Sequence, residues 1–469
     1  MAFLFSRAFW AALVLGFAGS LLAAEPGTWK AGTARTIITP TEPLWMSGYA
    51  SRTKPADGKE MDLWLKALAL EDAGGRRAVL ISGDVVGFPQ TIYQHSCAAL
   101  KEKFGLEPSQ FVLAASHTHC GPVLRKSLYD AYALDATQIA MIEKYSAELE
   151  ARIVETVGKA IADLASARLG VGQGTAGFAV NRRNNLEPDV PRLIELGSLK
   201  GPTDHSVPVL AVYLPDGTLK AVVFGYACHN TVMDYYKWSG DYAGFAQLAL
   251  EKSHPGVTAM FVMGCGGDQN PLPRHELGLA QRYGNMLASA VEEVLLTPPH
   301  TLAPGLRTDL EMPELHLGPA PTPSELEAFK ADKPDTKRRW ATRLLAETQA
   351  GRPFLREYPY PVQAWQLGGE QLLIMLSGEP VVDYALKLKN RFGRRTWVLG
   401  YCNDVMAYIP SLRVLKEDVP PLAQARWGYE GSQSMFAYGL PALRWADDVE
   451  DIVTTAAARA VERVQSAPQ

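Results

Sequence analysis

A series of short apolar runs, each ending abruptly on glycine, histidine or carboxylate, constrains this chain most. Arg77–Ser82, Phe111–Ala115, Thr258–Met263 and Gln371–Leu376 are each five or six residues long. Runs this short that are apolar throughout read as strands buried on both faces, and are too brief for core helices. Polar clusters follow: Ser116-His117-Thr118-His119, Gly264-Cys265-Gly266-Gly267-Asp268 and Ser377-Gly378-Glu379. Ligand sites of α/β folds sit at such strand ends. Val207–Leu214 and Leu219–Tyr226, joined through Pro215-Asp216-Gly217, read as a hairpin, and Cys228-His229-Asn230-Thr231 comes next. Helical patterns cover Gln90–Lys103, about Asp135–Ala165 and Glu276–Leu295. The expected fold class is mixed α/β: a catalytic domain with several β-sheets and chemistry-bearing residues at strand ends.

Composition excludes several classes. With 47% hydrophobic and 20% charged residues, the chain has enough apolar surface to fold. A net charge of -4 gives no electrostatic case for nucleic acid. Ala8–Ala24 is uncharged, follows Arg7 and ends in small residues. It reads as a signal peptide over residues 1–24, with periplasmic or secreted export; an uncleaved anchor is the rival reading. Residues 25–469 are then one catalytic unit without a transmembrane segment, since no later stretch reaches about 18 uninterrupted apolar residues. Peripheral membrane contact stays open. From Pro304 to Pro361 proline and charge are dense and strands scarce; two helices, about Ser324–Ala331 and Thr336–Ala350, on a surface excursion are expected, or a wall of a cleft.

No Gly-x-Ser-x-Gly elbow, His-Glu-x-x-His pair or Walker loop is present. His117 and His119 lie two apart and would project to one side of an extended segment. Imidazole suits Zn²⁺, yet a packed structural role fits either residue, and fits His229, equally. Alone, Ser239-Gly240-Asp241 and Gly264–Pro271 read as turns. Gly400–Pro410 and Trp427–Gly431 read as surface loops.

Taken in order, the motifs resemble the neutral ceramidase family, the neutral/alkaline non-lysosomal ceramidases. The matching pieces are Ala31–Pro40, Met46-Ser47-Gly48-Tyr49-Ala50, Ser116–Pro122, Asn181-Arg182-Arg183, Cys228–Thr231, Ser239-Gly240-Asp241, Gly378-Glu379, Ala407-Tyr408 and Gly428-Tyr429-Glu430-Gly431. They run from about Trp29 to Ala458. The resemblance implies a zinc amidohydrolase that cleaves the N-acyl bond of a ceramide-like lipid through zinc-activated water. One Zn²⁺ per chain would be held by His117, His229, Glu379 and Tyr408. His119, Arg182 and Tyr429 would line the carbonyl and headgroup pocket, with Gly48 in the substrate-binding wall. Their chemistry suits proton transfer and hydrogen bonding to an oxyanion.

This sequence departs from the family at three points. Asn270 stands where the family has a serine; an amide is no nucleophile, so Asn270 serves as a hydrogen-bonding group in the site. The family's C-terminal immunoglobulin-like domain is expected to be absent. The Tyr408-to-Tyr429 spacing is longer than the family's. A zinc hydrolase of the same fold acting on a non-sphingolipid amide or ester is therefore an alternative, as is a non-catalytic ligand-binding descendant. Cys120, Cys228, Cys265 and Cys402 each fall inside a motif. They are either small packed residues or include one disulfide, Cys120–Cys228 or Cys265–Cys402.

Overall fold

The computed structural model describes residues 28–333, 335–417 and 428–466. The expected signal peptide and Trp427 lie outside them. Each apolar run above is a strand. The main sheet runs, in order, Thr258–Met263, Leu219–Tyr226, Ser206–Tyr213, Ala165–Thr175, Trp29–Ile37, Trp64–Glu71, Arg77–Gly83 and Phe111–Ala115, with His300–Leu302 also paired to Ala165–Thr175. Its centre is antiparallel, and each flank ends in a parallel pair. A second sheet orders Leu306–Glu311, Val362–Leu367, Gln371–Leu376 and Trp397–Leu399.

Strand alternation determines how the layers stack. Leu68, Leu80, Val112, Val223 and Met260 of the main sheet share one core with Trp365, Leu373, Met375 and Trp397 of the second. Their chain neighbours Ala67, Ile81, Leu113, Val222 and Phe261 point oppositely, into a core shared with helices Gln90–Phe104, Ala136–Ala162, Asp241–Ser253 and Leu277–Leu295. The outer face of the second sheet, through Ala364 and Ile374, packs on helices Val382–Phe392 and Val449–Ser466. The order is helices, sheet, sheet, helices. Strands inside such a stack have no solvent face, which explains runs that are apolar throughout.

Two expectations are corrected, and the alternatives for the cysteines are decided. The stretch from Pro304 to Pro361 contains the helices Pro323–Phe329 and Asp335–Gln349, but also Leu306–Glu311, a strand of the second sheet. Its charges escape notice as strand residues because Asp309 and Glu311 pair with Arg463 and Arg459 of the last helix. Leu326, Trp340 and Leu344 form a buried cluster of their own. Gly400–Pro410 is no surface loop: Tyr401, Cys402, Asn403 and Ile409 are fully buried. All five cysteines are free thiols. Cys265 and Cys402 belong to different cores, and the Cys120 thiol faces the Met233 carbonyl at 3.6 Å. Among the described residues, no helix is long and apolar enough to cross a membrane.

Candidate metal centre and active site

The carboxyl ends of strands from both sheets meet at one end of the stack. His117 follows Phe111–Ala115, His229 follows Leu219–Tyr226, and Glu379 follows Gln371–Leu376. Isolated bridges stitch these ends together: Thr118 with Asn230, Ala114 with Cys402 and Gly264 with Leu399. His117 takes a left-handed backbone (φ 58°), unusual for a side-chain-bearing residue. The turn is held by its amide donating to Val85 O at 3.0 Å.

The orientation of the imidazoles follows from their outer nitrogens. His117 Nδ1 donates to Val86 O at 2.5 Å and His229 Nδ1 to Gly266 O at 2.7 Å. A carbonyl only accepts, so each Nδ1 carries a proton and each Nε2 is the nitrogen turned inward. Both Nε2 atoms lie 3.2 Å from Glu379 Oε2. His119 Nε2 is 3.1 Å from His117 Nε2, and Tyr408 Oη is 3.1 Å from His229 Nε2. His117, His119 and His229 are buried, with ligand atoms all within 4.8 Å of one another. Glu379 Oε2 is buried without a hydrogen-bond partner, while its other oxygen accepts from the Tyr438 hydroxyl. The two Nε2 atoms and the Glu379 oxygen are all electron-pair donors turned to one buried point, an arrangement that a cation among them would satisfy. Two or three imidazoles and a carboxylate are a donor set that suits zinc.

Burial, the neighbouring His117 and the neighbouring His229 push the His119 pKa well below the usual imidazole value. Burial, then Arg182, lower that of His229 to about 3. Both rings are neutral at pH 7, as ligands or proton acceptors must be. His119 owes its position to Gly48, whose φ is +100° and where a Cβ would lie 2.4 Å from the His119 ring.

Arg182 closes the site. It donates to Glu430 Oε1 at 2.8 Å, Asn270 Oδ1 at 3.1 Å, Gly267 O at 2.8 Å and Tyr408 Oη at 3.1 Å. Burial opposes its charge, but Tyr408 and Glu430 together hold the guanidinium firmly protonated. Tyr429 lies over it, 5.4 Å from guanidinium carbon to ring centre. Gly48, His119, Arg182, Asn270, Tyr408 and Tyr429 all line one cleft of about 430 Å³.

The residues named from sequence thus come together around one point and one cleft. Three partners were not expected. Glu430 bridges Arg182 and Arg183, Tyr438 holds Glu379, and the Tyr401 ring packs 4.3 Å from that of His117. Glu430 lies in the matching piece Gly428–Gly431 and Tyr401 in the stretch Gly400–Pro410, which were their only signals. Tyr438 had none.

Comparison with known proteins bears on the fold and the lineage. The profile of the neutral/alkaline non-lysosomal ceramidase N-terminal region matches residues 29–270, just over half of the chain. A curated neutral ceramidase of Pseudomonas aeruginosa is 28% identical over 235 residues, 48% of this chain and 34% of that protein. The aligned region thus spans about a third of the relative's length. The crystal structure of neutral ceramidase from Pseudomonas aeruginosa superposes with a TM-score of 0.69 at 19% identity, covering 95% of this chain and 76% of that one. A ceramidase complexed with C2 gives 0.67 at 18% identity, covering 94% and 77%. At such identities these structures establish the fold, and the profile match establishes the lineage: the chain belongs to the neutral/alkaline non-lysosomal ceramidase family.

Proposed function

We propose that this chain is an exported, zinc-dependent amidohydrolase that cleaves the N-acyl bond of a ceramide-like lipid. In this reading residues 1–24 are the signal peptide and residues 25–469 the catalytic unit. The observation that carries it is the inward convergence of His117 Nε2 and His229 Nε2 on the unpartnered Glu379 Oε2, beside Tyr408 and at the head of the cleft. His117, His229, Glu379 and Tyr408 would hold about one Zn²⁺ per chain, in keeping with zinc's preference for four protein or water donors. When bound, the ion supplies Lewis acidity and lowers the pKa of water towards about 7.

The chain's own residues do the rest. Arg182, already charged and fixed by Glu430, presents a donor towards the developing oxyanion. His119 is neutral and lines the cleft, so it can accept a proton and return it to the leaving nitrogen. Tyr429, stacked over Arg182 on the same side of the cleft, can donate its hydroxyl, and the close approach allowed by Gly48 leaves room beside His119. Asn270 offers its carbonyl oxygen to Arg182, so it positions the guanidinium and does not attack.

A second reading, hydrolysis of a non-sphingolipid amide or ester, is favoured by one observation. The cleft wall carries Glu187 and Arg274, ion-paired at 2.9 Å, which suits a more polar substrate. One panel separates the two: short-chain and long-chain ceramides beside small N-acyl amides and esters, each with zinc and with chelator. Fatty acid release from ceramide, abolished by chelator, is expected. His117→Ala and His229→Ala should lose both zinc and turnover. His119→Ala should keep its zinc and lose about 10²–10⁴ in kcat. Unchanged metal content in the first two variants would refute the ligand assignment.

A further inference from the structure

Large exposed apolar side chains are thinly spread over this molecule, with one exception. Leu186, Ile194, Leu196 and Leu199 are 49%, 49%, 61% and 39% exposed, all within one short segment that includes the helix Val190–Glu195. The other large exposed apolar residues among those described are scattered through other segments. Four large apolar side chains exposed this close together in sequence mark a candidate interaction surface.

This loop is a built feature. Its ends are tied by a reciprocal pair: Asn185 Nδ2 donates to Lys200 O at 2.7 Å, and the Lys200 amide donates to Asn185 Oδ1 at 3.0 Å. Val190 anchors its middle, buried against Val180 and Leu272. Glu187 is clamped by Arg274. With its base, middle and flank fixed, the loop holds its leucines and isoleucine out to solvent by construction.

What covers the patch follows from where it sits and how it is charged. Leu186 lines the cleft that holds His119, Arg182 and Tyr429, so the exposed segment begins at the candidate site. With Glu187 neutralised by Arg274, the loop's remaining charges are Asp189, Glu195, Arg192 and Lys200, two of each sign. Such a surface suits an electrically neutral partner, and the proposed substrate is a lipid that must leave a bilayer to reach the cleft. We propose that residues 186–199 are a membrane-docking loop, inserting Ile194, Leu196 and Leu199 into a zwitterionic bilayer surface so that lipid passes along Leu186 into the cleft. The choice of occupant rests on the reading of the site given above.

Hydrogen–deuterium exchange of the whole chain, with and without phosphatidylcholine vesicles, reads this loop directly. Vesicles should protect peptides spanning 186–199. Protection should vanish in the triple variant Ile194→Ser, Leu196→Ser, Leu199→Ser. None of these three residues lines the cleft, and all are exposed, so folding and zinc content should be kept. Hydrolysis of long-chain ceramide in vesicles should fall at least about tenfold in the variant, because apolar burial supplies the docking energy. Hydrolysis of the same linkage in a monomeric, water-soluble N-acyl substrate should be unchanged. If neither form hydrolyses any ceramide, the function reading fails, and the protection data still decide docking. Absence of protection in the wild type overturns the proposal. So does protection that appears without vesicles as protein concentration rises, which would make a second copy the occupant.

Discussion

At the scale of single residues, Arg182 carries the heaviest burden. Its planar fork serves four acceptors at once: Glu430, Asn270, the Gly267 carbonyl and Tyr408. Lysine would bring the same charge but one compact ammonium, unable to span that set. Arg182→Lys should therefore lower kcat/KM on a short-chain ceramide by about 10²–10³, the cost of one lost oxyanion donor, while bound zinc per chain stays the same. A loss of zinc in this variant would mean that Arg182 acts by holding Tyr408 as a ligand. The residue scale is also where sequence reading is most uneven. His117, His229, Glu379 and Arg182 were legible because each terminates an apolar run or sits in an ordered motif. The supports were not: Glu430 meets Arg182 across 248 positions, and Tyr438 reaches Glu379 across 59. Side-chain contacts at such separations leave no local pattern.

At the scale of elements, the legible strands are those sandwiched between two layers. Beyond their first residues, Thr258–Met263 and Gln371–Leu376 are apolar because neither face meets water. Trp29–Ile37 and Ala165–Thr175 were harder to read: both mix glycine and polar residues, and both keep partly exposed positions. In the first of them Gly32 touches helix Ala136–Ala162, where a Cβ would lie 2.1 Å from the Ala160 carbonyl, so close helix–sheet approach replaces the usual branched side chain. Joining of the two sheets was not legible at all, since it depends on which alternate residues face each other. Trp365 tests that joint. It is 1% exposed, packs in the inter-sheet core, and donates its indole N–H to Ser109 O at 2.8 Å. Trp365→Ala should cost about 3–5 kcal/mol of folding stability, measured as a shift in denaturant midpoint. Because His117 and Glu379 come from opposite sheets, zinc affinity should weaken with it; unchanged affinity would mean the strand ends hold their geometry without the joint.

At the scale of the whole molecule, the polar groups that bind the layers together make stability depend on pH. Asp404 lies at the seam: its backbone carbonyl accepts from the Gly378 amide at 2.7 Å, and its carboxylate accepts from the Tyr358 hydroxyl at 2.8 Å. It is 1% exposed. Burial pushes its pKa up to about 7, against the hydrogen bond from Tyr358, which pulls it down. In the unfolded chain the same carboxyl titrates near about 3.9. Folding therefore takes up a proton between those values, so the protonated carboxyl stabilises the fold at low pH. That contribution is intact below about pH 4 and is lost as pH rises through about 7. Between pH 5 and 8 the wild type should lose about 3 kcal/mol through this group. Asparagine keeps an oxygen for the Tyr358 hydroxyl and carries no titrating proton. Asp404→Asn should thus flatten the pH dependence, its denaturant midpoint falling less than that of the wild type over the same interval. Parallel pH profiles for the two proteins would place the seam's titration elsewhere, and Asp241 and Asp268, each raised to about 6 by burial, would be the next groups to replace.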